Sequence, residues 1–134
     1  MNIGIVSGYF DPLEKRHISL FEDAACRVDY LICILNNDHQ ADARRVNRHR
    51  GAFEIGDFSD RFAVLNSIGC IDLVVPAKDS VTDAVGITLS LINDMFGYGN
   101  QLYFFNGGTI RTVTPAEQQT CENNGIKLVF NIGN

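Results

Sequence analysis

Eleven consecutive residues, Ser7-Gly8-Tyr9-Phe10-Asp11-Pro12-Leu13-Glu14-Lys15-Arg16-His17, carry the densest set of chemically able side chains in the chain. The apolar, β-branched run Ile3–Val6 precedes them, and an amphipathic stripe (Ile18, Leu20, Phe21, Ala24, Ala25) follows. That pattern predicts a buried strand, a short turn and a helix running from His17 to Arg27. Gly8 allows a tight backbone turn. A helix that opens at such a turn offers unpaired N–H groups and the positive end of its dipole, a combination that suits a phosphate. Lys15, Arg16 and His17 add cationic donors at the same place. The plain alternative is a strand-to-helix loop with ordinary surface charges.

A second group of candidates lies in the polar stretch from Asn36 to Gly56, where Arg44, Arg45, Arg48 and Arg50 flank His49. The chain carries a formal net charge of −5, so this local basic density points to anion binding, with a solvated charged loop as the alternative. Arg61 follows a helix cap at Asp57 and reads on its own as an exposed helical Arg paired with a carboxylate such as Asp57. Asn106-Gly107-Gly108-Thr109 reads as a polar turn after a strand. The cysteines, Cys26, Cys33, Cys70 and Cys121, form no C-x-x-C pair, so no metal site is expected. Three of them lie in or beside apolar stretches as small hydrophobes, in a reducing, cytoplasmic setting.

The elements that must hold these residues alternate. Strands are expected at Ile3–Val6, Tyr30–Leu35, Ile71–Val75, Leu102–Phe105 and Ile126–Phe130. Between them come the helix after His17, a long polar connection over 36–56, and a helix behind Asp57 with Phe62, Val64, Leu65 and Ile68. A mostly helical segment from Ser80 to Phe96 opens on a Ser-x-x-Asp cap at Ser80 and Asp83. A last helix opens at Thr114-Pro115-Ala116-Glu117 and closes at Gly125. Continuous apolar strands spaced by helices imply an α/β fold. The expected architecture is a single Rossmann-like, doubly wound, parallel five-stranded sheet, with residues 1–134 as one domain. Ligands in such sheets sit beyond the carboxyl ends of the strands, where the winding direction switches.

Composition narrows the partners. The 46% hydrophobic and 20% charged content is that of an ordinary globular protein. The net acidity argues against a general nucleic-acid coat, no apolar run reaches the roughly 20 residues that cross a bilayer, and the first residues do not read as a signal peptide.

In their order, Gly8, Phe10, Asp11, Leu13 and His17 resemble the G-x-F-D-x-x-H-x-G-H motif of the cytidylyltransferase-like nucleotidyltransferase family. Phe58-Ser59-Asp60-Arg61 and Ile71-Asp72-Leu73-Val74-Val75 are similar to that family's E-[DE]-R helix and V-D-x-V strand. Asn106-Gly107-Gly108 is similar to its N-G-G-D-R loop, with Thr109-Ile110-Arg111 where the family has Asp-Arg. The resemblance covers nearly the whole chain.

It implies transfer of a nucleotidyl group, cytidylyl from CTP ahead of adenylyl from ATP, to a small phosphorylated alcohol or sugar, with Mg2+ accompanying the nucleotide and a homodimeric assembly. It implies a catalytic loop of Glu14, Lys15, Arg16 and His17. It implies nucleotide contacts from Gly8, Tyr9, Phe10, Asp11, Arg61, Asn106, Gly107, Gly108 and Thr109, and acceptor or phosphate contacts from Arg44, Arg45, Arg48 and Arg50.

Two positions depart from the motif. Glu14 replaces its first His and, when ionised, only accepts hydrogen bonds, so beside a triphosphate it repels. Arg16 replaces its Gly and fills the space, unless it swings round to bind phosphate itself. The family's Ser/Thr-rich segment after the final strand has no counterpart in Asn131-Ile132-Gly133-Asn134. These departures keep a second reading open: a catalytically impaired nucleotide- or phosphate-binding module, or a dimeric structural one, on the same fold.

Overall fold

The computed structural model describes residues 1–47, 56–81 and 84–134, and leaves out the side chains of 45–47. Strand β1 spans Asn2–Gly8, helix α1 Lys15–Arg27, β2 Tyr30–Leu35, α2 Asp38–Asn47 and α3 Phe58–Asn66. These are followed by β3 at Leu73–Pro76, α4 at Gly86–Phe96, β4 at Gln101–Phe105, α5 at Pro115–Asn124 and β5 at Lys127–Val129. The strands form one five-stranded sheet in the order β3-β2-β1-β4-β5, and every adjacent pair is parallel. The doubly wound α/β expectation is met, and the winding reverses between β1 and β4.

Period-two alternation sends successive strand residues to opposite faces. Ile3, Ile5, Ile32, Ile34, Leu102 and Phe104 face α4 and α5, where they meet Val85, Leu89, Ile92 and Cys121. Val6, Leu31, Cys33, Leu35 and Phe105 face α1 and α3, where they meet Leu20, Phe21, Ala24 and Leu65. A parallel sheet with both faces covered explains why β2 is apolar at every position.

Local caps behave as read. The Asp57 side chain accepts from the Asp60 N–H and starts α3. Thr114 and Glu117 complete a reciprocal capping box at α5.

Two expectations are corrected. The connection over 36–56 is not all loop, because α2 occupies its first half. Its signal is a second capping box: the Asn37 side chain accepts from the Gln40 N–H, and the Gln40 side chain accepts from the Asn37 N–H. Its exposed residues are so polar that no apolar stripe betrays it.

The helix expected from Ser80 begins only at Gly86. The carbonyls of Val81 and Ala84 accept instead from the Gln40 amide, and those of Ala77 and Asp79 accept from the Asn37 amide. The cap at Asp83 lies outside the described residues. The first turn of α4 is held from elsewhere: Asp79 accepts from the N–H groups of Ile87 and Thr88, and Glu117 accepts from that of Val85. Among the described residues no helix is long and apolar enough to cross a membrane.

Candidate functional site

In a parallel sheet all carboxyl ends share one edge. The segments that leave β1, β2 and β4 there contain most of the sequence candidates. Gly8 closes β1. Its role is close approach: a Cβ there would lie 2.9 Å from the Phe10 ring, which folds back over it. The left-handed residue of the turn is Phe10, with φ 54°. Phe10 is buried and meets Phe21 and His17 edge-on, with centroid separations of 5.0 and 5.3 Å. Asp11 reaches across to the far end of the 36–56 connection, where its Oδ2 accepts from the Gly56 N–H at 2.7 Å.

Helix α1 opens with Glu14 at the N-cap and three basic residues, Lys15, Arg16 and His17, in its first turn. No acidic residue lies in that turn, although the positive end of a helix dipole favours one. His17 Nδ1 accepts from the Glu14 backbone N–H at 2.9 Å. The neutral ring therefore carries its proton on Nε2, for which no acceptor is found among the described residues. Burial, and then the neighbouring Arg16 charge, lower the His17 pKa below its usual value, with Glu14 opposing them. A neutral imidazole with an unclaimed Nε2–H is a ready hydrogen-bond donor to a phosphate oxygen.

The two residues that depart from the motif meet each other. Arg16 Nε and Nη2 both donate to Glu14 Oε1, at 3.3 and 3.1 Å. Their side chains are 75% and 51% exposed, so the pair lies at the surface of the α1 mouth.

On the β2 side, Tyr9 is buried, and its hydroxyl donates to the Gln40 carbonyl at 3.3 Å. The Arg44 guanidinium stands 4.8 Å above the Tyr9 ring, in cation–π range. Arg44 is thereby brought to the loop after β1. The side chain of Arg45 and all of Arg48 and Arg50 lie outside the described residues.

Arg61 is not the exposed helical Arg of the sequence reading. It is 2% exposed, and its partner is Asp38, not Asp57. Nε donates to the Gly56 carbonyl at 2.8 Å, and Nη1 donates to the Asn36 carbonyl at 2.7 Å and the Tyr9 carbonyl at 3.4 Å. Nη2 reaches Asp38 Oδ1 at 3.1 Å. The guanidinium thus ties together the ends of β1 and β2 and the starts of α2 and α3.

Across β4, Asn106, Gly107, Gly108 and Thr109 form the following turn. Their carbonyls are engaged: Asn106 accepts from the Ile132 N–H, Gly107 from the Asn134 amide, Gly108 from the Asn131 N–H and Thr109 from Thr112. Ile132 is buried, and the Gly133 N–H donates to Asp23 on α1. The tail therefore straps this turn to α1.

Sequence reading missed Asn36, Asn37, Asp38, Gln40 and Asp79 as organisers of this edge, and read Glu117 only as part of the α5 cap. Among the five missed, only the Asn37-x-x-Gln40 spacing carried a local signal. Asn36 is 3% exposed, and its side-chain oxygen is a buried polar atom with no hydrogen-bond partner among the described residues. Among the described residues no three His, Cys, Asp or Glu side chains gather as a metal cage.

No protein-family model matches the chain. It is 36% identical over 76 residues to the bifunctional protein HldE of Granulibacter bethesdensis, covering 56% of this chain and 15% of that one. It is 32% identical over 120 residues to the bifunctional protein HldE of Actinobacillus pleuropneumoniae, covering 83% of this chain and 24% of that one. The chain thus spans a quarter or less of the length of these relatives. Among solved structures it resembles a lipopolysaccharide core biosynthesis protein from Thermoplasma volcanium, with TM-score 0.62, 18% identity, and 97% of this chain and 93% of that one covered. It also resembles a protein from Vibrio parahaemolyticus described as a nicotinate-nucleotide adenylyltransferase, with TM-score 0.60, 12% identity, and 97% and 74% covered. At these identities the structures speak to fold.

Proposed function

Taking as premise a chain that is cytidylyltransferase-like in sequence and nucleotidyltransferase in fold, we propose that it transfers a nucleotidyl group from a nucleoside triphosphate, CTP ahead of ATP, to a small phosphorylated alcohol or sugar. The observation that carries this reading is the first turn of α1. It sits beside the switch point between β1 and β4 and joins Lys15, Arg16 and the unclaimed Nε2–H of His17 to a helix N-terminus.

In the reaction, an oxygen of the acceptor's phosphate attacks the α-phosphorus. The new P–O bond forms as the bond to the β-phosphate oxygen breaks, and pyrophosphate leaves with that electron pair. His17 Nε2–H and the N–H groups of the first turn stabilise charge on the phosphate oxygens, so catalysis is by positioning and electrostatics. Arg44, held over Tyr9, stands on the acceptor side of the loop in this reading. The turn from Asn106 to Thr109 faces the base.

Magnesium arrives with the nucleotide. A small hard ion that binds through phosphate oxygens and keeps several waters needs no protein cage, and Glu14 is the carboxylate at the α1 mouth available to it. Bound there, it would neutralise phosphate charge. A homodimer and a reducing, cytoplasmic setting belong to the same reading; the free cysteines support the reducing setting alone.

The test is pyrophosphate release from CTP or ATP with magnesium, against a panel of phosphorylated alcohols and sugars, in wild type and His17→Ala. Turnover with one pair, abolished by His17→Ala, supports the assignment. The Glu14–Arg16 pair favours a second reading, a nucleotide binder without turnover, because it stands where the motif has His and Gly. Saturable calorimetric binding of CTP with no pyrophosphate release from any acceptor would select it. No binding of either nucleotide to the folded protein would sink both.

A further inference from the structure

We infer that Glu14 and Arg16 form a replaceable latch, in which the Arg16 guanidinium leaves the Glu14 carboxylate for the phosphate chain of an incoming nucleotide. The inference rests on the phosphate-site reading of the α1 mouth and assigns the side chain that takes up the anion's charge there.

The geometry of the pair is that of a contact easily exchanged. Both guanidinium donors share one carboxylate oxygen instead of forming two parallel bonds with two oxygens. Both side chains are more than half exposed, so water and salt screen the attraction. A phosphate offers the same guanidinium several oxygens and more charge, and it matches the planar fork.

The position is equally telling. Side chains on a helix lean toward its N-terminus, and Arg16 occupies the second residue of α1. Its contact with the N-cap residue fixes the guanidinium beside the helix mouth. There the backbone N–H groups of Lys15 and Arg16 find no acceptor among the described residues. His17 Nε2–H is unclaimed at the same turn. The Lys15 and Arg16 charges at the positive end of the helix dipole repel it and each other, and an anion bound at the mouth offsets that repulsion.

Glu14 offsets part of this charge while the mouth is unliganded. Its side chain pairs with Arg16, and its backbone N–H orients His17. That N–H belongs to the main chain, and glutamine keeps a side-chain oxygen for the capping box with the His17 N–H, so Glu14→Gln leaves the His17 geometry in place. The lost His of the motif is in this way replaced by a guanidinium two residues later, and the extra carboxylate parks it.

The experiment is calorimetric titration with CTP plus magnesium and, separately, with pyrophosphate, at low and high salt. The variants are wild type, Glu14→Gln, Arg16→Ala, Arg16→Lys and the double change. Circular dichroism checks that each is folded.

The latch predicts that Arg16→Ala weakens both ligands at least tenfold and that Arg16→Lys is intermediate. Glu14→Gln should tighten pyrophosphate, titrated without magnesium, about threefold, and that gain should vanish when Arg16 is already Ala. Affinities of Arg16→Ala and Glu14→Gln equal to wild type, with CTP still bound, would overturn the latch and leave the nucleotide reading standing. Pyrophosphate bound through Arg16 with neither CTP nor ATP bound would uphold the latch and remove the nucleotide reading. Absence of binding by every ligand, in Glu14→Gln as well as wild type, would overturn both.

Discussion

Replacing Arg61 by Ala tests whether this guanidinium is a structural tie. Three segments lose their common partner in the change. The Asn36 and Gly56 carbonyls lose bonds of 2.7 and 2.8 Å, and the 3.4 Å contact to the Tyr9 carbonyl adds little. Hydrogen bonds to a charged donor contribute about 1.5–3 kcal/mol each, and a buried acceptor left unpaired keeps its desolvation cost. Asp38 is different: its side chain is 53% exposed and rehydrates once Arg61 is gone, so that ion pair adds about 0–1 kcal/mol.

The sum is about 3–7 kcal/mol, a large share of the roughly 5–15 kcal/mol that stabilises a domain. It should lower the melting temperature by about 10–25 °C and, for a typical m-value, the urea midpoint by about 2–3 M. Arg61→Lys should lose about half as much, because one ammonium cannot span three acceptors on diverging vectors. The assay is urea unfolding followed by far-ultraviolet circular dichroism, the chain having no tryptophan. A midpoint in Arg61→Ala within about 0.5 kcal/mol of wild type, with nucleotide affinity lost, would refute the reasoning. It would return Arg61 to the ligand surface.

Three further outcomes are expected. His17 should titrate below 6.5, by NMR of the ring, without ligand; since the unfolded chain then takes up the proton first, stability is unaffected above about 6.5 and falls as pH drops below it. Pyrophosphate should move that midpoint upward, and His17→Gln should remove this part of the pH dependence; a midpoint at or above 6.5 in the free protein contradicts the partly buried, Arg16-facing ring. Asp79→Ala, which strips buried acceptors from the Ile87 and Thr88 N–H groups and the Thr88 hydroxyl, should cost about 2–4 kcal/mol and speed hydrogen exchange in the first turn of α4; unchanged exchange there would mean α4 is capped some other way. Thiol labelling at neutral pH should modify exposed Cys26 at once and Cys70 slowly, and reach buried Cys33 and Cys121 only on unfolding, since burial raises all three of the latter thiols and pushes Cys121 up to about 11; rapid modification of four thiols in the folded protein would contradict the packing around β2 and α5.

The amino-acid sequence by itself determined whatever rests on neighbours along the chain. The residues of β2 were legible from six apolar residues in a row, and the start of α5 from Thr114, Pro115 and Glu117. The cap of α3 was legible from Asp57, and the phosphate-suited turn from the order Gly8 to His17. Each is local: burial on both faces, a side chain reaching three residues ahead, a strand running into a helix.

Only the tertiary structure decided which charges meet. Arg61 turned from the adjacent Asp57 to Asp38 because its neighbours in space are the carbonyl ends of β1 and β2, where a buried guanidinium must find acceptors. The start of α4 moved to Gly86 because the Gln40 amide on α2 had taken the carbonyls before it, and carboxylates at Asp79 and Glu117 supplied its cap. Glu14 and Arg16, each read as a defect in the loop, turned to one another because they share the mouth of one helix. Hydrogen bonds and ion pairs between distant segments follow no period in the sequence. Their partners are set by which groups the packed sheet leaves buried at the same place.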